Sequence, residues 1–488
     1  MTLFGRELRM TRGKLIALVA VIIIVPVLLG VGISILVWSQ RDVPELHANI
    51  ADHFKYGSIG AEGRSGIPYW VWVVLPEVFE DLLPEGDGDG YQRLGFLYEA
   101  DTPRGRPIGT SYREAPFPTI GLNCAVCHVG TLRETADSQT QLVLGMPSHR
   151  FNLQQYLRFL FATAEDQRFN ADNIIPAIQR ANPDFNFVER LLYRYFVIPQ
   201  TRQGLLDEAE RFAWMDRRPD QGPGRVDTFN PYKLNIFGLE EDSFVGTADL
   251  PSLWNQAPRD GLWLHWDGNN NSVEERNKSA AIGAGASEES LDLASMQRIA
   301  DWISTLSPPD FPADKVDWSR VGAGRQIYEA NCAQCHDFDG SDIGQVVPIE
   351  QIGTDTERLN SFTQELADNM NTLGTGQPWQ FSHFRKTEGY SNMPLDGIWL
   401  RAPYLHNGSI PTLRDLLKPP EERPAVFLRG YDVYDFENLG LVSSGPEAEA
   451  QGFQFDTSER GNGNQGHLYG TGLGEQEKQD LLEFLKTK

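Results

Sequence analysis

Three kinds of apolar stretch run along this chain. The first, LIALVAVIIIVPVLLGVGISILVW from Leu15 to Trp38, is continuous and carries no charge. It exceeds the ~20 residues that a helix needs to cross a bilayer and predicts a transmembrane span, which Pro26 does not prevent. A cleaved signal peptide is the alternative reading. Its apolar region is usually ~7–15 residues, and SQRD after Trp38 has no small-x-small cleavage pattern. Arg6, Arg9, Arg12 and Lys14 precede the run against Glu7 alone, which keeps the tip cytoplasmic and exports the body.

The second kind is periodic. In SEESLDLASMQRIADWISTLSPPDFP, Met296, Ile299, Ile303 and Leu306 recur at helical spacing, with Ser287 as the N-cap and Pro308-Pro309 as the stop. GLGEQEKQDLLEFLKTK repeats the theme with Leu481, Leu482 and Leu485. The two stretches read as the ends of two related units, with the boundary in Ser307–Pro312. Ahead of the second unit's chemistry, Gly324 and Tyr328 stand four apart on one predicted helix face, where the glycine admits a close crossing and the aromatic fills space beside it. The counterpart helix in the first unit is expected around Tyr69–Leu83. The third kind is loop: DQGPGRVDTFNPYKLN and HWDGNNNSVEERN are Gly/Pro/Asn-rich and read as ordered loops around a site.

At 488 residues the chain is about three times the ~150 residues of one domain. Hydrophobic residues make up 40% and charged residues 23%, too apolar for a disordered chain. The net charge of −24, with no Lys/Arg stripe, excludes nucleic acid as a partner and favours a basic soluble one. The four cysteines form two Cys-x-x-Cys pairs, and histidine follows each at once: Cys124, Cys127, His128 and Cys332, Cys335, His336. Thiols at i and i+3 reach both vinyl groups of one porphyrin, and the next residue offers an imidazole to its iron. Two covalently bound haem c groups are therefore expected, with His128 and His336 as proximal ligands. A four-cysteine zinc site would bring its pairs within ~15–20 residues, and a redox dithiol belongs on a βαβ unit. Neither fits.

The fold class expected is mainly α: an N-terminal transmembrane helix, then two cytochrome c-like haem domains with long loops and insertions. The segments are 1–41 for the tip and anchor, 42–310 for the first haem domain and 311–488 for the second. The predicted location is the bacterial inner membrane, single-pass, with the body in the periplasm.

The sixth ligand separates an electron carrier from a catalyst, because a closed iron passes electrons and an open one binds small oxidants. For the second haem, Met393 of Met393-Pro394 and His467 of GNGNQGHLYG compete. For the first, His149 in GMPSHRFN closes the iron or lines its approach. LPSLWNQAPRDGLWLHWDGNNNSVEERN (250–277) is the richest segment for a distal site: His265 and Asp267 are candidate proton donors and acceptors, and Trp254, Trp263 and Trp266 are candidates for an aromatic path or for packing.

PLDGIWLRAPYLHNGSIPTLRDLL (394–417) resembles the characteristic segment of the bacterial di-haem cytochrome c peroxidase superfamily, and more closely its rubber oxygenase branch. GNGNQGH (461–467) resembles that branch's late motif, whose histidine is the distal ligand of the second haem. By that resemblance His467 outranks Met393, the first haem keeps an open face, and His406 and Tyr404 support the second haem. The implied function is a di-haem oxidoreductase of the peroxidase/oxygenase type. One haem would activate peroxide or oxygen while the other transfers electrons with a redox partner protein. The alternative is a membrane-tethered cytochrome c that only transfers electrons.

Overall fold

The computed structural model describes residues 44–114 and 117–488, with isolated positions at 13, 21 and 25 before them. Helix α1 (Ile50–Tyr56) opens the body, with the Asn49 side chain accepting from Ala51 and Asp52 N–H as its cap. Helix α2 (Cys124–His128) carries the first Cys-x-x-Cys-His. A hairpin of β1 (Val129–Leu132) and β2 (Gln141–Leu144) follows. After a helical segment from 153 to 211 come α3 (Val273–Gly283) and α4 (Leu293–Ile303). The second unit contains α5 (Trp318–Asn331), α6 (Ala333–His336) with the second motif, and the terminal α7 (Glu475–Leu485).

Helices α5 and α7 cross closely, and Gly324 is the reason. A Cβ there would stand 1.9 Å from the Asp480 carbonyl oxygen. Beside the notch, fully buried Tyr328 packs its ring 5.1 Å from Phe484. In the first unit the same crossing is made by α1 and α4, joined by His53 Nε2 and Ser295 Oγ at 2.9 Å. The counterpart of α5 is therefore α1, not the expected run at 69–83, and buried Phe54 packs its ring 5.3 Å from Trp302 of α4 as Tyr328 packs against Phe484. The sequence hid this because residues 57–123 intervene between Tyr56 and Cys124. They fold into a three-stranded sheet and an aromatic cluster in which Trp72 stacks on Tyr91 at 4.0 Å. Asn123 ties the distant motif back: its Nδ2 donates to the carbonyls of Lys55 and Gly57. Helix α4 is capped by Asp292 rather than Ser287.

A second duplication joins the segments around 264–272 and 404–412. Each makes the same short antiparallel bridge, Leu264 to Asn270 and Tyr404 to Ile410. Each has left-handed backbone one residue into the loop, at His265 (φ 62°) and Leu405 (φ 69°), and again at Gly268 and Gly408. Each ends on a hydroxyl cap, Ser272 for α3 and Thr412 for the helical turn after it. His265 thus corresponds to Leu405, and His406 to Trp266.

The expected architecture needs correction. Among the described residues no helix is long and apolar enough to cross a membrane. The longest have 14 residues, about 21 Å at 1.5 Å per residue against a hydrocarbon core of about 30 Å. The expected span at 15–38 lies outside the described residues. Among the described residues the helices alternate with short strand pairs and long ordered loops. Nor do the apolar cores follow the sequence order. One cluster joins α1, α4 and Cys124 to Phe362–Phe384, and another joins Leu132, Val143, Met146 and Trp254 to the second unit. Ser307–Pro312 is docked rather than loose: Trp399 Nε1 donates to the Pro309 carbonyl at 3.1 Å, and Phe311 packs edge-on against Trp399.

Candidate functional site

Both Cys-x-x-Cys-His motifs sit on a short helix wedged against the end of α1 or α5. At the second, the backbone carbonyl of Met393 accepts from His336 Nδ1 at 2.8 Å. At the first, Pro251 does the same for His128 Nδ1 at 2.9 Å. This bond fixes the tautomer and leaves Nε2 as the free lone pair, the arrangement a metal-ligating histidine requires. Burial keeps both imidazoles neutral, pushing His128 down to about 3 and His336 below its ordinary value. The same burial pushes the Cys124 and Cys127 thiols up to about 11 and about 12, which disfavours a reactive thiolate pair.

The two sites differ on the other side. The His467 ring faces that of His336 with centroids 6.1 Å apart. Two imidazoles bound to one metal ion at about 2 Å each have centroids about 6 Å apart, so the gap fits an iron between them. His467 is held on a tight loop: its φ is 48°, and its N–H donates to Ile352 at 2.8 Å. Its Nδ1 is buried without a partner, and burial pushes its pKa down to about 4. Met393 sits on the opposite side, where its carbonyl already serves His336. Across from His128, among the described residues, no aromatic or imidazole ring comes within that distance.

The remaining sequence candidates separate. His149 is buried in the seam between the units, with Nε2 3.4 Å from Thr131 Oγ1 and Asp432, Arg150 and Arg429 as its charged neighbours. Trp254 is fully buried; its Nε1 donates to Leu144 and its ring packs under Gly397. Trp266 donates to the Asp249 carbonyl, and its own carbonyl accepts from Ser391 N–H. Both tryptophans thus bridge the halves. Asp267 is a fully buried ion-pair partner of Arg358 at 3.1 Å, further bonded by Asn269, which makes it a cross-link rather than a mobile proton carrier. His265 differs from these: its Nε2 is buried and has no partner. His406 stacks on Tyr390 at 4.2 Å, and because the Tyr390 hydroxyl donates to Asp355, His406 Nε2–H donates to Tyr390. Tyr404 donates to the carbonyls of Ile398 and Leu439.

Sequence reasoning missed two groups. Arg259 and Arg401 share the Asp396 carboxylate beside the second motif. Arg276, one turn into α3, is close enough for its charge to depress both His128 and His265. An arginine in a polar loop-helix segment is ordinarily solvated, so no signal in the residues marked it.

Residues 389–428, the stretch that holds Tyr390, Met393, Tyr404 and His406, match the family described as RoxA-like, cytochrome c-like. That segment is similar to the corresponding part of RoxA-like c-type cytochromes. It implies haem c and oxidoreductase chemistry, and the donors around His336 fit that group. The whole chain is also similar to the uncharacterized protein y4iJ of Sinorhizobium fredii (strain NBRC 101917 / NGR234), with 25% identity across 92% of each chain. The uncharacterized protein y4iM of the same strain is 34% identical over 224 residues, 41% of this chain and 50% of that protein.

Proposed function

We propose that this protein is a di-haem c-type oxidoreductase of the peroxidase/oxygenase type, with unequal haems. Cys332, Cys335, His336 and His467 would hold one haem, which would serve electron transfer. Cys124, Cys127 and His128 would hold the other, which would supply the chemistry of peroxide or oxygen activation. The observation that carries this reading is the asymmetry across the two proximal histidines: a second imidazole at 6.1 Å from His336 and no ring so placed for His128.

When bound, haem supplies redox chemistry at iron; the chain's own residues do the rest. Pro251 and Met393 hold the proximal imidazoles in one tautomer. His467 excludes small ligands from the second iron. Trp254 and Trp266 fill the seam through which charge passes between the halves. The acidic surface favours a basic redox partner in the periplasm.

The test is the absorption and EPR spectrum of the purified ferric protein, with CO added to the reduced form. One low-spin bis-histidine haem together with one high-spin haem that takes CO is expected. Two low-spin haems that ignore CO in every redox state would leave a pure electron carrier and refute the enzyme reading. Rapid mixing with peroxide and separately with oxygen tells the two oxidants apart.

A further inference from the structure

We propose that the exposed face of the helical run 187–211 docks on the surface of an anionic phospholipid bilayer, its aromatic side chains entering the headgroup region and its free arginines meeting lipid phosphates. The contact is with a bilayer surface and is not a span, and it stands independently of the haem reading.

The run joins Phe187–Leu192, a π turn at Tyr193–Val197 and Ile198–Arg211 without a break. Its inner side is ordinary. Tyr193, Val197, Ile198 and Leu205 are buried, and the run packs on the helices Leu153–Glu165 and Ala171–Ala181, neither of which carries a haem-site residue. The outer side of such a helix is normally polar. Here Phe187, Val188, Leu191, Tyr195 and Phe196 stand out into solvent, with exposures from 41% at Leu191 to 65% at Tyr195. With rings of about 200 Å² each, the patch presents on the order of 500 Å² of apolar surface, a size at which a patch on a single chain is commonly functional.

Charge and area together select the occupant. The chain carries −24 overall, yet residues 187–202 hold Arg190, Arg194 and Arg202 against Glu189 alone. Glu189 is already engaged, accepting from the Asn186 N–H at 2.8 Å, and Arg194 is paired with Asp172 at 2.8 Å. Arg190 and Arg202 are free: the Nε of each has no hydrogen bond, and neither meets a carboxylate among the described residues. The Arg190 guanidinium lies 5.7 Å from the centre of the Phe187 ring, so cation and aromatic reach the same boundary. Aromatic and aliphatic side chains edged by arginine are the composition of a helix that lies in the interface of an anionic membrane. A second copy of the chain fits less well. A stable dimer covers about 800 Å² on each partner, more than this patch offers, and a two-fold contact sets the patch against itself, where its free arginines would find no anion.

The test uses the full-length holoprotein with Leu191→Cys carrying a nitroxide, and the unsubstituted protein treated alike as the blank. Vesicles of phosphatidylcholine containing phosphatidylglycerol should raise the accessibility of the label to oxygen and lower its accessibility to a water-soluble nickel chelate. Phosphatidylcholine alone, or high salt, should change it far less. Arg190→Gln with Arg202→Gln should lower the partition constant about five- to thirtyfold, the weight of one to two cations at an anionic surface. Phe187→Ser with Phe196→Ser should keep the label in water, with an unchanged circular dichroism spectrum showing that the fold is kept. A label that stays open to nickel while the protein floats with the vesicles overturns the proposal, because another segment then makes the contact. So does a double arginine variant that partitions like its parent. A label shielded from both quenchers before lipid is added also overturns it: spin–spin broadening that grows with protein concentration assigns the face to a second copy, and shielding independent of concentration assigns it to residues 1–43 of the same chain.

Discussion

Replacing Gly324 by alanine tests the claim that one missing methyl group sets the crossing of α5 and α7, and through it the frame of the second haem. The added Cβ would lie 1.9 Å from the Asp480 carbonyl oxygen and 2.8 Å from Phe484 Cβ. An ordinary carbon–oxygen contact is about 3.3 Å, so the helices must part by about 1.4 Å. A gap of that size forfeits much of the dispersion contact of Tyr328 with Phe484 and of Leu481 and Leu482 beneath it. Overpacking of this kind costs about 1–3 kcal/mol. Alanine's helix propensity returns up to about 1 kcal/mol, so a net loss of about 1–2 kcal/mol is expected. Because a chain of several cores does not unfold as one unit, the assay is local. Amide hydrogen exchange at 325–331 and 481–485 should quicken about 5- to 30-fold. Gly322→Ala is the control in the same helix, since a Cβ there meets nothing within 4 Å; it should slow exchange slightly. Equal behaviour of the two variants would refute the argument, because propensity alone would then explain both.

Other expectations follow from the same geometry. His467→Ala should convert one of two ferric haems from low to high spin, whereas Met393→Ala should leave the spectrum nearly unchanged because it keeps the carbonyl that holds His336. The reverse outcome would make Met393 the ligand. Arg358→Met leaves the Asp267 carboxylate buried with only Asn269 beside it, so a loss of about 3–5 kcal/mol is expected in urea melts; adding Asp267→Asn should recover most of it. Acid should weaken the seam. Burial, opposed by Asp432 and aided by Arg150 and Arg429, pushes His149 down to about 4 from an ordinary 6.5. Between those values the unfolded chain binds a proton that the folded chain refuses, so stability falls as pH drops through the window. His149→Asn should flatten that part of the pH–stability curve, and an unaltered slope would assign it to other groups.

Much of the chemistry was legible in local sequence because it depends on near neighbours. Thiols three apart and the histidine after them lie within one helical turn, and Gly324 and Tyr328 share a helix face by periodicity alone. The terminal helices likewise declared themselves as apolar stripes. Pairings across long separations did not. Nothing local says that α1 rather than 69–83 is the partner of α4, because an inserted sheet interrupts the repeat. The likeness of LHWDGNNNS to YLHNGS suggests aligning their histidines, and only the bridge pattern and backbone angles show a shift of one position, which exchanges His265 for Leu405.

The sequence by itself determined where the two Cys-x-x-Cys-His patterns lie, which histidines follow the thiols and where the helices carry their apolar faces, since each is a matter of covalent chemistry or of spacing within one element. The tertiary structure alone decided that His467 stands across from His336, that Asp267 is locked to Arg358 and that His265 Nε2 is buried without a partner. Those relations depend on which distant surfaces exclude water together, and burial acts in three dimensions where the sequence records only order.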